Sequence, residues 1–229
     1  MNQFCALLLL LSILPASAQE TGAKPSLNEK FRDPNLKPEE WTQKFETESR
    51  EIYHQREAIL KTTGIKPGMT VADIGAGTGL FTIPFAKAAG PEGKVFAVEI
   101  APKFIELIKS RAEKEQVPNV QTVLGTDRSV ELPADSVDVA FICDVYHHFE
   151  HPADSLKSLY RAMKPGGTMV LIDFIRIEGR SSAFVMGHVR AGQEVFEKEI
   201  TGAGFEKVEE VKGMLLENYC VRFRKPETK

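Results

Sequence analysis

The sequence predicts an α/β fold built on a largely parallel sheet with crossover helices. From Lys66 onward, short apolar runs alternate with stretches of helical periodicity, which is the pattern of consecutive strand–helix–strand units. A glycine-rich turn follows the first apolar run, and ligands of such folds bind at the carboxyl end of a parallel strand. The chain has 229 residues, 42% of them hydrophobic and 27% charged, which is a globular composition with room for one sizeable core.

The first 18 residues differ in composition from the rest of the chain. Residues 4–14 are apolar and uncharged, and Ala16-Ser17-Ala18 has the small-x-small pattern of a cleavage site. This run is too short to span a bilayer as a helix, so residues 1–18 are predicted to be a signal peptide. The mature protein would then be secreted or periplasmic, without stable membrane insertion. Because no Lys or Arg precedes the apolar run, a membrane tether is the alternative.

Residues 19–37 are polar, contain several prolines and lack periodicity, which predicts a linker. The domain is predicted to cover residues 38–229 and to begin with one long amphipathic helix. Gly64 follows the helical pattern as a C-cap. Charged residues on this helix, Arg50 among them, are expected to form a solvated face, with closure over a ligand as the alternative. The apolar positions at helical spacing are Trp41, Phe45, Ile52, Ile59 and Leu60.

Seven strands are predicted in the remainder of the domain. Proline or glycine marks the helix ends between them, as at Gly90, Pro102 and Pro152. The last two strands have no helix between them and are predicted to pair antiparallel, because parallel neighbours need a crossover of a dozen or more residues. The predicted strands are residues 69–74, 94–98, 120–124, 137–143, 168–173, 205–211 and 218–224.

The glycine-rich turn reads Asp-Ile-Gly-Ala-Gly-Thr-Gly over residues 73–79. Glycines permit positive φ and let a ligand approach the backbone closely. The dinucleotide fingerprint G-x-G-x-x-G/A needs a small residue where this chain has Leu80, which disfavours a nicotinamide oxidoreductase. Glu99 ends the second strand, twenty residues past Gly79, where a carboxylate can accept hydrogen bonds from both hydroxyls of a ribose.

This turn resembles motif I of the class I S-adenosylmethionine (SAM) dependent methyltransferases, of the type 11/25-like domain. The resemblance extends over about residues 66–224 and includes the Lys-Pro-Gly-Gly sequence at 164–167. It implies SAM as the cofactor and a doubly wound, Rossmann-like sheet of seven strands in the order 3-2-1-4-5-7-6, with strand 7 antiparallel. Asp73 is implied to hold the amino group of the SAM methionine and Asp127 the adenine amino group. The implied cofactor-binding residues are Asp73, Gly75, Gly77, Thr78, Gly79, Glu99, Asp127 and Asp144.

The loop after the fourth strand, residues 144–151, contains three of the five histidines of the chain. Because histidine is a natural proton acceptor near neutral pH, His147 and His148 are candidate general bases, with simple loop packing as an equal alternative. Tyr146, His188 and Arg190 are candidate contacts to the methyl acceptor. Arg190 could hold an anionic acceptor or pair with a nearby acid at the surface.

Composition and spacing also limit the partners. The formal net charge is -3 and acids and bases are mixed along the chain, which disfavours nucleic acid as a partner. No metal is expected, because neither the histidines nor the cysteines have a familiar ligand spacing. The alternative is an N/O site built from the adjacent histidines with Asp144 and His188. The predicted activity is methyl transfer from SAM to a small-molecule acceptor. The alternative is an exported SAM-binding or nucleotide-binding protein of the same fold without turnover, because an exported enzyme would need a supply of cytosolic SAM.

Overall fold

The computed structural model describes residues 27–227, and its centre is a seven-stranded sheet. The predicted signal peptide and residues 19–26 lie outside the described residues. The strands are β1 (Thr70–Ile74), β2 (Lys94–Glu99), β3 (Val120–Leu124), β4 (Val137–Cys143), β5 (Met163–Phe174), β6 (Glu206–Glu210) and β7 (Asn218–Arg224). The helices are α1 (Glu29–Arg32), α2 (Pro38–Phe45), α3 (Glu51–His54), α4 (Arg56–Thr63), α5 (Thr82–Ala89), α6 (Pro102–Lys114), α7 (Pro152–Ala162), α8 (Ala183–His188) and α9 (Gln193–Gly202).

The sheet has the order β3-β2-β1-β4-β5-β7-β6. Strands β1 to β5 pair in parallel, and β7 pairs antiparallel with both β5 and β6. This topology confirms the predicted doubly wound α/β fold and the antiparallel seventh strand. No helix within residues 27–227 has the length and hydropathy needed to cross a membrane.

Helices cover both faces of the sheet, so its central strands are buried on both sides. Alternate residues of β4 belong to different apolar clusters: Phe141 packs in one cluster, whereas Ala140 and Ile142 pack in the other. Because successive side chains of a strand point to opposite faces, this division places one cluster on each side of the sheet. The near-continuous apolar sequence of β4 and of residues 169–172 in β5 follows from this double burial.

The first helical segment differs from the prediction of one long helix. It is divided into α2, α3 and α4, and residues 46–50 leave the helical path between α2 and α3. The Thr47 and Ser49 hydroxyls hydrogen-bond each other there, and such side chains compete with helical backbone bonds. Glu46 and Arg50, at the two ends of this interruption, form ion pairs with residues of the domain, Arg111 and Asp144 respectively. The predicted C-cap at Gly64 is confirmed, since this residue has a left-handed φ of 69°.

Residues 27–37, the described part of the predicted linker, pack against the domain. Leu36 is buried beside Phe104 of α6, and Phe31 contacts the Trp41 ring at a centroid distance of 5.0 Å. The Asn28 amide donates a hydrogen bond to the carbonyl oxygen of His148 at 3.0 Å. A tether is therefore the wrong description of residues 27–37, because a few widely spaced apolar residues in a polar segment anchor it to the domain.

We expect Cys143 and Cys220 to remain unbridged, even in an oxidising compartment. Cys143 in β4 and Cys220 in β7 pair with Ile172 of β5 from opposite sides. Their backbones therefore stand two strand spacings apart, roughly 10 Å, which exceeds the Cα separation of about 7 Å that a disulfide tolerates. Non-reducing mass spectrometry of the oxidised protein should show two free thiols, and a Cys143–Cys220 bridge would contradict this topology.

Candidate active site

A cavity of about 530 Å³ lies at the point where the strand order of the sheet reverses, between β1 and β4. It is bordered by the segments that follow the carboxyl ends of β1, β2 and β4, which is the usual ligand position in a doubly wound sheet. Its volume is in the range that accommodates small-molecule ligands. The predicted cofactor residues that line it are Asp73, Gly75, Gly77, Thr78, Glu99, Asp127 and Asp144, and the histidines that line it are His147, His148 and His188.

The glycine-rich loop after β1 depends on two glycines for different reasons. Gly75 has a φ of 69°, and a Cβ built on it would overlap with the side chain of Val145 in the loop after β4. Gly77 has a φ of 54°, but an added Cβ would have no atom closer than 3.9 Å. Gly75 is therefore needed for packing between two loops, whereas the space above Gly77 is open to a ligand.

Glu99 connects the end of β2 to this loop. Its carboxylate accepts hydrogen bonds from the backbone N–H of Gly77 at 2.8 Å and from that of Ala101 at 2.9 Å. The Ile100 N–H donates to the same carboxylate at 2.7 Å. Burial raises the pKa of Glu99, and these bonds oppose the increase by favouring the ionised form. The carboxylate thus orients the glycine loop and retains lone pairs for a ligand hydroxyl.

Asp73, the last acid of β1, is buried beside the loop. Burial raises its pKa to about 7, the Thr82 hydroxyl opposes this by donating a hydrogen bond at 2.6 Å, and the nearby Glu99 adds to the increase. A carboxyl group with this pKa changes its ionisation state near neutral pH, and a cation bound beside it would favour the ionised form.

Asp144, the first residue after β4, has a positive φ of 52° and a buried carboxylate. Its oxygens accept hydrogen bonds from the Arg50 guanidinium and from the Asn218 amide, the latter at 2.6 Å. Burial raises the pKa of Asp144, and the positive charge of Arg50 opposes that increase. Arg50 therefore does not lie on the solvated helix face that was expected for it. Its contact with Asp144 joins the N-terminal helices to the wall of the cavity.

Thr78 and Asp127 form other parts of the wall. The Thr78 hydroxyl donates to Glu46 at 2.7 Å, and Glu46 in turn pairs with Arg111 of α6. Asp127 is half-buried, with its carboxylate 3.9 Å from the guanidinium of Arg32. Gly79 does not line the cavity; it has a positive φ of 82° and leads into α5.

Three histidine rings meet at the other end of the cavity. The ring centroids of His147 and His148 are 4.4 Å apart, and that of His188 lies 5.0 Å and 4.9 Å from them, respectively. His147 Nδ1 lies 2.7 Å from the buried carboxylate of Asp173. Because an ionised carboxylate only accepts hydrogen bonds, we assign the ring proton to Nδ1, which leaves a lone pair on Nε2.

The other two histidines are held in the neutral form. Burial lowers the pKa of His148 to about 3, with further lowering from His147, His188 and Lys30. Burial likewise lowers the pKa of His188. His148 Nδ1 is buried and has no hydrogen-bond partner within the described part of the chain. A histidine with such a low pKa is a weak base, which favours His147 over His148 for proton transfer.

Tyr146 and Arg190 lie outside the cavity. Tyr146 is fully buried and its hydroxyl donates to Glu199 at 2.8 Å. Arg190 makes two hydrogen bonds to the same carboxylate, at 2.8 Å and 2.6 Å. Neither predicted acceptor contact lines the cavity in this structure, and Arg190 pairs with an acid, which is the alternative role expected for it.

The sequence analysis missed two contributors to the site. Asp173 is the next-to-last residue of β5, as Asp73 is of β1, and Glu99 is the last residue of β2, so an acid near the end of a buried strand was the available signal. Phe184 of α8 stacks on His188 with ring centroids 4.9 Å apart. Nothing in the local sequence pattern indicated that contact.

Comparison with known proteins agrees with this geometry. Residues 72–171 match the family model described as a methyltransferase domain. The chain is 32% identical over 116 residues to a ubiquinone/menaquinone biosynthesis C-methyltransferase (UbiE) of Ectopseudomonas mendocina, covering 50% of this chain and 45% of that protein. It therefore spans about half the length of the curated relatives it matches.

Two solved structures share the fold. A SAM-dependent methyltransferase from Aquifex aeolicus matches with a TM-score of 0.72 and 24% identity, over 83% of this chain and 99% of its own. A Haemonchus contortus phosphoethanolamine N-methyltransferase, in complex with phosphomonomethylethanolamine and S-adenosylhomocysteine, matches with a TM-score of 0.63 and 23% identity, over 79% of this chain and 46% of its own. Residues 72–171 thus resemble a methyltransferase domain, and the chain shares the fold of a SAM-dependent methyltransferase.

Proposed function

We propose that this protein transfers a methyl group from SAM to a small-molecule acceptor. One observation carries the proposal: a single cavity is lined both by the implied cofactor residues and by a cluster of three histidines. The relatives named above are methyltransferases, and one structural neighbour was solved with the demethylated cofactor product.

In this proposal the cofactor lies over the glycine loop. Asp73 pairs with the amino group of SAM, Glu99 accepts hydrogen bonds from the ribose hydroxyls, and Asp127 binds the adenine amino group. With SAM held by these residues, His147, His148 and His188 would lie on the acceptor side of the same cavity. As the acceptor atom bonds to the methyl carbon, the carbon–sulfur bond breaks and the sulfonium becomes a neutral thioether. Such a displacement needs no protein nucleophile, and alignment of the two reactants supplies much of the rate enhancement.

The acceptor end of the cavity favours an uncharged molecule with an apolar body. Phe174 and Phe184 line it together with the histidines, and Phe184 is 64% exposed at the mouth. Flat rings of this kind are suited to stacking on an aromatic acceptor. The UbiE relative is named for methylation in quinone biosynthesis. Hydroxylated aromatic rings therefore belong among the candidate acceptors to be tested.

A screen for S-adenosylhomocysteine production tests the function. The full chain is incubated with SAM and a panel of phenols, hydroxyquinones, thiols and amines, and SAM affinity is measured separately by calorimetry. Product formation that depends on one acceptor supports the proposal. Binding of SAM without product from any acceptor favours the alternative of a binding protein without turnover, and absence of SAM binding contradicts both.

Asp73 leads to a prediction on pH. Its carboxyl group must be ionised to pair with the SAM ammonium, and with a pKa of about 7 it is mostly protonated below that pH. We expect SAM affinity to rise by up to about tenfold per pH unit as the pH approaches 7 from below, and then to level off. Calorimetry across this range should show the slope in the wild type and a weaker, flat profile in Asp73→Asn. A flat wild-type profile would contradict this role for Asp73.

We also propose that the protein is exported, on the composition of residues 1–18 alone. N-terminal sequencing of the native protein tests this directly. A chain beginning at Gln19 supports cleavage and a secreted or periplasmic location, whereas a retained leader in the membrane fraction supports the tethered form.

A further inference from the structure

We propose that His147, His148 and His188 bind a divalent transition-metal ion, with Zn²⁺ the best-matched ion, at the acceptor end of the cavity. One ring nitrogen from each histidine lies within 4.8 Å of those from the other two. The proposal goes beyond methyl transfer, since it rests on the arrangement of these side chains and requires neither SAM nor an acceptor.

The distances are close to those of a loaded site. A tetrahedral zinc with Zn–N bonds of about 2.0–2.1 Å separates its nitrogen ligands by about 3.4 Å. The three rings therefore need to approach one another by no more than about 1.4 Å from a separation of 4.8 Å. His188 ends the six-residue helix α8 and is only partly buried, so small rotations of its ring can supply this adjustment.

Asp173 supplies the second feature of a histidine metal site. Metal-binding histidines almost always donate their other ring N–H to a carboxylate or carbonyl, which fixes the tautomer and orients the ring. The Asp173 carboxylate holds His147 Nδ1 at 2.7 Å and also accepts the backbone N–H groups of His147 and Phe174. His147 is thereby fixed with Nε2 available as a ligand atom.

His148 supplies the third feature. Its buried Nδ1 finds no hydrogen-bond partner among residues 27–227, and an orphaned buried polar atom of this kind requires an explanation. A bound cation at the cluster would explain why a ring with an unsatisfied buried nitrogen lies beside two other histidine rings.

Three histidine ligands leave a fourth position open, as in catalytic zinc sites. The cluster lines the cavity, so the ligand that fits this position is the oxygen or sulfur atom of the acceptor. A hydroxyl bound to the ion loses its proton to water more readily, and its oxygen can then form the bond to the SAM methyl as the carbon–sulfur bond breaks. If the proposed function holds, the acceptor therefore belongs to the class of alcohols, phenols and thiols.

Titration with Co²⁺ and Zn²⁺ tests the site. The full chain is prepared without a histidine tag, stripped with a chelator, and titrated with Co²⁺, whose visible absorption is intense in tetrahedral sites and weak in octahedral ones. We expect one ion per chain with a tetrahedral spectrum, and displacement of that spectrum by Zn²⁺.

Variants locate the ion. We expect His188→Gln, at a partly buried position, to weaken binding at least roughly 100-fold, and Asp173→Asn, which removes the orienting carboxylate, to weaken it about 10- to 100-fold. His54→Gln changes an exposed histidine of α3, and His151→Gln changes a second, more exposed group with Asp127 and Glu150. Both of these controls should bind like the wild type.

Three results would overturn the proposal: no bound metal at equimolar Co²⁺ or Zn²⁺, unchanged affinity in His188→Gln, or loss of affinity in His151→Gln instead. Melting curves of the metal-free variants establish that each is folded, and His188→Gln remains decisive if Asp173→Asn does not fold. Because the titration contains no SAM, it tests the metal site separately from methyl transfer. Either proposal can be contradicted while the other is supported.

Discussion

Replacement of His147 with Gln is expected to lower the rate of methyl transfer by about 10²- to 10⁴-fold, with little change in SAM affinity. Nε2 of His147 carries a lone pair at the acceptor end of the cavity, because Asp173 holds the opposite nitrogen. Whether this lone pair takes the proton of the acceptor or binds an ion that activates it, Gln lacks an equivalent nitrogen. Single-turnover rates and calorimetry on the same preparations separate chemistry from cofactor binding.

The control for this experiment is His54→Gln, which removes an exposed histidine that does not line the cavity and should retain the wild-type rate. A near-normal rate in His147→Gln would remove His147 from the chemistry and leave an acceptor that solvent deprotonates. If the rate of His147→Gln falls instead, chelator treatment of the wild type distinguishes a general base from a metal ligand, because a general base works without metal and a metal ligand does not.

Gly77→Val is expected to abolish detectable SAM binding, with a loss of affinity of at least about 100-fold. The added side chain would occupy the open space above the loop, where the cofactor must approach the protein backbone. The residue would also retain a φ of 54°, which disfavours a branched side chain. Calorimetry and thermal melting on the same preparation measure affinity and stability separately.

Gly213→Val is the matched control. Gly213 lies between β6 and β7 with a φ of 76°, an added Cβ there meets nothing within 4 Å, and the residue does not line the cavity. Both variants carry the backbone cost of about 1–2 kcal/mol for a non-glycine residue in this conformation. Only Gly77→Val should lose SAM. Equal SAM affinity in the two variants would show that the cofactor lies elsewhere.

Local sequence patterns predicted most of the sheet. The bounds of β3, β4 and β7 match the predicted strands, because runs of apolar and β-branched residues between turn residues need no knowledge of distant contacts. The absence of a helix between β6 and β7 was enough to predict their antiparallel pairing, which the structure confirms. Glu99 was predicted in the same way, since an acid that closes a buried strand stands out from its neighbours, whereas the role of Asp73 was implied by the resemblance to motif I.

The directions of the loop side chains could not be predicted in this way. Tyr146, His147 and His148 are consecutive residues of a short 3₁₀ turn, and they point respectively toward Glu199, toward Asp173 and into the histidine cluster. Irregular backbone has no periodicity from which a face can be assigned, so each direction is set by partners that are distant in sequence.

The fold class and the glycine loop with Glu99 therefore follow from short-range pattern, whereas the strand order and the role of Asp73 follow from the resemblance that the motifs carry. Tertiary structure alone decided that residues 27–37 pack on the domain, that Arg190 turns away from the cavity, and that His188 joins His147 and His148. The physical reason is that these contacts join segments forty or more residues apart or follow irregular backbone, where packing and buried charge, rather than local propensity, select the conformation.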